Sequence, residues 1–313
     1  MIRIFKTEDG AMHEKEDMQP GCWIALTNPT ASEIIDISDA YQIDPDHLKA
    51  PREEEERSRI EVEEDYTLVL VDIPSIEERS GKDWFVTIPL AIIMAKDVLI
   101  TVCLEETPVL TSFMVGRVRD FHTFMKTRFI LQILYKNATQ YLQYLRIIDK
   151  KSEVIERKLH QSQKNEELIE LLELEKSLVY FTTSLRSNEV VLEKLLRTEK
   201  IKKYPEDTDL LEDVIIENKQ AIEMANIYSG ILSGTMDAFA SVISNNLNIV
   251  MKFLATVTIV MSIPTMIASF YGMNVNPRGM PFSASPYGFL IVLGFCLALS
   301  LLVAFIFSKK DLF

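Results

Sequence analysis

Tyr271-Gly272-Met273-Asn274 closes the first of two apolar stretches near the C-terminus, and the position of this tetrapeptide decides how the chain is read. Ahead of it, residues 253–270 supply 18 membrane-compatible positions, and after a short connection residues 287–307 supply 21 more. Each stretch is long enough to cross a hydrocarbon core of ~30 Å. A membrane hairpin is therefore predicted, with a first span at 253–271, an outer loop at 272–286, a second span at 287–307 and a tail at 308–313. Lys252 precedes the first span and Lys309 and Lys310 follow the second, whereas the loop holds only Arg278. The positive-inside rule then places both termini in the cytoplasm, in a cytoplasmic (inner) membrane.

The rest of the chain is acidic. The net charge is −13 over 313 residues, yet residues 249–313 carry +3, so the first 248 carry −16. Such a domain is a poor partner for nucleic acid and a reservoir for cations. The opening Met1-Ile2-Arg3-Ile4-Phe5-Lys6 lacks the apolar core of a secretion signal, and Cys22, Cys103 and Cys296 make no disulfide framework. A reduced, cytosolic soluble part is expected.

Residues 1–125 read as a cytosolic α/β domain. β-rich runs at 1–6, 22–27, 66–74, 85–94 and 98–104 suit one central sheet, and a capping box at Thr30 and Glu33 opens a helix toward Tyr41. Residues 126–204 interleave charges with Leu, Ile and Tyr at helical spacing, predicting two long antiparallel helices that turn near 162–165. Pro205 is the last proline before Pro264, so a stalk helix at 205–252 is expected to run on into the first span, from about 207 to 270, roughly 95 Å at 1.5 Å per residue. The fold class is thus an α+β soluble domain, a long helical stalk and an α-helical membrane hairpin.

Acidic clusters at 53–56 and 61–65 suit a solvated loop or metal binding. His13, His47, His122 and His160 lack ligand spacing, and no phosphate-binding glycine loop, nucleophile elbow or zinc-protease helix is present, so no enzyme is expected.

Steps of three and four from Gly230 pass through Gly234, Asp237, Ser241, Ser244, Asn248, Met251, Ala255, Thr258, Ser262, Thr265, Ser269 and Gly272; twelve of the thirteen are small or polar. This period keeps one helix face toward one axis. Small residues and hydroxyls also mediate dry helix packing in membranes. The length of the stripe, with Asp237 and Asn248 near the membrane entrance and Asn274 at its end, favours a wettable lining. One copy cannot enclose a channel, so several must surround a symmetry axis, with the second, apolar span against lipid. Ser300, the hydroxyl of that span, is expected to bond back to its own helix. Met251 and, one turn along, Leu254 would form a hydrophobic constriction or else pack as core.

The tetrapeptide suits magnesium, which demands octahedral oxygen ligands and dehydrates reluctantly. The Asn274 carboxamide oxygen can accept hydrogen bonds from waters of the hydrated ion without the deep trap of a carboxylate ring. Gly272 allows close backbone approach and a turn at the helix end, and Tyr271 suits the interface or packing between subunits.

With YGMN at the outer end of its penultimate span, an acidic α/β domain, a long stalk and a basic tail, the chain resembles the CorA family of magnesium transport proteins. The resemblance implies a homopentamer passing hydrated magnesium, with cobalt or nickel as further cargo, and no organic cofactor. It implies a filter of Gly272, Met273 and Asn274, with Asn274 touching the ion through its hydration shell. Asn248, Met251, Leu254, Thr258, Ser262, Thr265 and Ser269 fall along the implied pore, with Asp237 as an acidic ring above it. Asp213 matches an aspartate that helps hold regulatory divalent ions between subunits. Two departures stand out: the positions expected to supply its partner acid read Lys49 and Ala50, and the outer loop 275–286 has no carboxylate and carries Arg278. The rival within transport is a ZntB-like zinc carrier, against which Met273 argues. The rival from another class is a membrane-anchored coiled-coil interaction protein.

Overall fold

The β-rich runs become strands whose alternate side chains serve two different layers. The computed structural model describes residues 1–53, 56–79, 81–162, 165–198, 205–274, 276, 279–282 and 285–309. Arg278 and Lys310 lie outside them, as do Glu54 and Glu55 of the first acidic cluster, Gln163 and Lys164 of the expected turn, Val275 of the outer loop and Asp311 of the tail. Two units follow, residues 1–235 and 236–313.

In the first unit, β1 (Ile2–Glu8), β2 (Ala11–Lys15), β3 (Trp23–Thr27), β4 (Arg59–Val62), β5 (Tyr66–Arg79), β6 (Lys82–Ala95) and β7 (Leu99–Cys103) form a seven-stranded sheet ordered β2-β1-β3-β7-β6-β5-β4. β3 and β7 pair in parallel and the other neighbours antiparallel. The five predicted runs are all strands. β2 and β4 were not anticipated, and β4 converts the start of the 61–65 acidic cluster from loop into sheet edge.

Register decides what each face buries. Leu68 opposes Ile93 and Leu70 opposes Ala91; these point to the side where α1 (Ala31–Tyr41) and α2 (Pro45–Lys49) contribute Ile34, Ile37 and Leu48. Val69 opposes Ile92 and Val71 opposes Leu90 on the other side, packed with residues of α3 (Pro108–Met114), α4 (Lys126–Ser162), α5 (Asn165–Arg197) and the first turns of α6 (Pro205–Tyr271). The capping box forms as expected: Glu33 N donates to Thr30 Oγ1 at 3.3 Å and Thr30 N donates to Glu33 Oε2 at 2.7 Å.

A polar seam interrupts the α4/α5 side of the sheet. Asn137 and Asn188 each donate an Nδ2 hydrogen to Asp72 O, at 2.8 and 2.7 Å, while Asp72 N donates to Asn188 Oδ1 at 2.9 Å. Burial pushes the Asp72 carboxyl up to about 6, against the smaller opposing effect of hydrogen bonds from Ser184 and Ser58.

α6 runs for 67 residues with Pro264 inside it, and α7 (Gly288–Lys309) runs for 22. Both are long and apolar enough to cross a membrane. The 48 residues of α6 at 205–252 run on without a break into 253–271, with no proline between Pro205 and Pro264; Pro264 removes one donor and leaves the Val260 carbonyl without its helical partner. Ser300 departs from expectation, since its buried Oγ has no hydrogen-bond partner among the described residues.

Candidate ion pathway

Positions withdrawn from solvent along the spanning part of α6 are Thr256, Val260, Ile263, Pro264 and Ile267, which share one flank of the helix. Pro264, with Ala268 and Tyr271, also borders the cleft that α6 shares with Phe289, Val292 and Cys296 of α7. At about 100° per residue, Met251, Ala255, Thr258, Ser262, Thr265 and Ser269 lie roughly opposite that flank. All six are exposed, as are Asp237, Asn248, Leu254 and Asn274. α7 therefore leaves the small-polar stripe uncovered.

Three hydroxyls on this face, those of Thr258, Ser262 and Thr265, point their protons inward. Thr258 Oγ1 donates to Leu254 O at 2.7 Å, Ser262 Oγ to Ile259 O at 2.7 Å and Thr265 Oγ1 to Met261 O at 3.1 Å; nearer the first unit, Ser241 Oγ donates to Asp237 O at 3.0 Å. A hydroxyl that donates to its own helix presents only oxygen lone pairs outward. Water bound to a cation offers hydrogens in that direction, so the face is chemically matched to a hydrated cation. Met251 and Leu254 stand 57% and 53% exposed.

At the helix end, Gly272 N donates to Ala268 O at 2.9 Å and Met273 N to Phe270 O at 3.3 Å. A Cβ on Gly272 would meet Ala268 O at 3.4 Å and Ser269 O at 3.6 Å, ordinary contact, and its backbone is not left-handed. Nothing among the described residues demands glycine there. Tyr271 takes a role not anticipated, donating its hydroxyl to Pro281 O at 2.9 Å and strapping the helix end to the outer loop. At the far side of the loop, a Cβ on Gly288 would overlap Phe282 O, so this glycine is required by the chain's own path.

In the first unit, Asp213 is exposed on α6, beside exposed Glu212. Lys49 is exposed and pairs with Asp46 at 3.1 Å, and Ala50 is buried. Spacing along the chain left all four histidines without ligand partners, yet the fold brings His47 together with Glu61 and Glu63.

A family model described as CorA-like Mg2+ transporter protein matches residues 19–310. The Cobalt/magnesium transport protein CorA of Methanocaldococcus jannaschii is 27% identical over 297 residues, 92% of this chain and 90% of that protein. The complete structure of the CorA magnesium transporter from Methanocaldococcus jannaschii aligns at a TM-score of 0.84 and 25% identity, over 99% of this chain and 98% of that one. The ZntB cytoplasmic domain from Vibrio parahaemolyticus shares the fold alone, at a TM-score of 0.61 and 10% identity over 78% of this chain and 98% of that one. With the family match running from the first unit through both candidate spans, the chain belongs to the CorA-like Mg2+ transporter family.

Proposed function

We propose that this protein is a homopentameric uptake channel of the cytoplasmic membrane that passes hydrated magnesium, with cobalt or nickel as lesser cargo. Both termini face the cytoplasm and the outer loop faces away from it. The observation that carries this reading is the α6 face: a run of small and polar positions, exposed in the single chain, opposite α7, with hydroxyl protons turned inward. Five copies around an axis would bring these faces together into an acceptor-lined lumen. Met251 and Leu254 supply the apolar constriction, Asp237 an acidic ring on the cytosolic side, and Gly272-Met273-Asn274 the outer filter.

Asn274 is exposed with its carboxamide unengaged among the described residues, available to accept from the shell of an arriving ion. Inward flow needs no nucleotide, because a divalent ion crossing ~100 mV, inside negative, gains about 4.6 kcal/mol. Asp213 is the residue available for a regulatory ion between subunits, with Lys49 weakening that site.

The test is flux into liposomes holding the purified full chain, across magnesium, cobalt, nickel and zinc. Magnesium entry driven by an inside-negative potential supports the reading. Zinc entry without magnesium entry replaces it with a zinc carrier. No flux of any ion, from protein shown to be oligomeric, replaces it with an interaction protein.

A further inference from the structure

Three segments of the first unit converge on one point. His47 comes from α2, Glu61 from edge strand β4 and Glu63 from the turn into β5. One ligand-capable atom from each lies within 4.8 Å of the others. His47 Nε2 is already 3.2 Å from Glu61 Oε2. Two donors on one tetrahedral zinc-like ion, at about 2.0–2.2 Å each, sit roughly 3.4 Å apart, so this pair has the right separation. Glu63 is exposed on its turn, with a carboxylate oxygen within 4.8 Å of the ligand atoms of both partners.

The surroundings orient both inner ligands. His47 Nδ1 lies 2.8 Å from Tyr66 Oη, which also accepts from Asp44 N at 3.2 Å. With the imidazole proton on Nδ1 and donated to Tyr66, the Nε2 lone pair is free for an ion, the arrangement typical of histidine ligands. Arg59 holds the other oxygen of Glu61, fixing the direction of Oε2. The adjoining concavity is walled by Asp44, Glu63, Glu64 and Asp65, which draw cations in.

We propose that His47, Glu61 and Glu63 form an intrachain binding site for a first-row transition dication such as Zn2+ or Co2+. Magnesium is a poor occupant, because it prefers six oxygens in strict octahedral geometry, whereas an imidazole nitrogen with two carboxylates suits zinc, cobalt and nickel. The site is independent of the pore and stands or falls without any transport measurement.

Tag-free full-length protein in detergent, with magnesium in large excess to occupy all-oxygen sites, is titrated with Co2+ while the visible d–d bands are recorded. The expected result is one nitrogen-ligated Co2+ per chain, displaced by Zn2+. His47→Gln and Glu63→Gln should each abolish that band while circular dichroism and melting stay those of the parent. Tyr66→Phe should weaken Co2+ binding by about 10-fold, as loss of an outer-sphere partner does. If His47→Gln disturbs the fold, Glu63→Gln decides alone, its side chain being exposed. An unchanged band in Glu63→Gln, or a parent band erased by magnesium, overturns the proposal.

Discussion

Replacing Asp72 with Asn should stabilise the first unit above pH 6 and do nothing at pH 4. The carboxyl is raised from 3.8 to about 6, chiefly by burial, so the native state holds its proton more tightly than the unfolded chain does. Below about pH 4 both states are protonated and the contribution of Asp72 is fully present. As pH rises from about 4 to 6 the unfolded chain ionises while the native carboxyl still holds its proton, so stability falls, and the loss is complete once the native group also ionises above 6. At about 1.36 kcal/mol per unit, the loss amounts to about 3 kcal/mol by pH 7.5. Asn keeps the shape and the hydrogen-bonding capacity toward Ser58 and Ser184 without the ionisation, and should recover most of that. In a unit of this size about 3 kcal/mol corresponds to roughly 6–12 °C in melting temperature. Trp23 and Trp84, both tryptophans of the chain, lie in the first unit, so intrinsic fluorescence of the full protein follows its unfolding. The informative curve is the difference between parent and Asp72→Asn from pH 4 to 7.5, which cancels carboxylates common to both. A difference that does not grow with pH would refute a buried, proton-holding Asp72.

Asn274→Ala should abolish magnesium uptake into liposomes while the oligomer keeps its size in detergent; uptake at the parent rate would remove Asn274 from the filter. Met251→Gly should raise leak through the closed protein, and unchanged closed-state conductance in both Met251→Gly and Leu254→Gly would make these side chains packing rather than gate. With Lys49 and Ala50 where a partner acid is expected, inhibition by cytosolic magnesium should be shallow and little altered in Asp213→Ala; steep parental inhibition lost in that variant would show an intact site. Gly288→Ala forces a Cβ into Phe282 O and should cost about 1–3 kcal/mol, read as a lower melting temperature of the second unit.

The elements legible in the sequence were those whose pattern reports burial directly. β5 and β6 carry near-continuous apolar runs because both faces of the sheet are covered, and α4 and α5 show helical spacing because one side of each is buried. β2, with sequence Ala-Met-His-Glu-Lys, is an edge strand mostly open to solvent, and β4 alternates Ile and Val with Arg and Glu inside an acidic run. Neither pattern rises above that of a polar loop. The stripe on α6 is legible as a period, with the apolar second span expected outside it, but the particular flank that α7 takes, beside Pro264 and Ala268, is not. The grouping of His47 with Glu61 and Glu63 is illegible for another reason: 13 residues lie between His47 and Glu61, and only the sheet edge brings α2 beside it. From sequence Tyr271 suits the interface or packing between subunits, and its bond to Pro281 depends on the return path of a loop that no spacing rule describes.

The inward-turned hydroxyls of Thr258, Ser262 and Thr265 also decide which sign of charge the proposed lumen tolerates. Along these three rings a chloride or phosphate would find lone pairs that repel it and no O–H to replace the water it leaves behind; amide N–H groups are offered only by Asn248 and Asn274, at the two ends of that stretch. Anions are thereby rejected without any ionised residue at mid-membrane depth, where a charged side chain costs at least roughly 2.5–3.5 kcal/mol. Cations gain passage without a fixed countercharge to hold them, so a doubly charged ion can move on rather than remain bound.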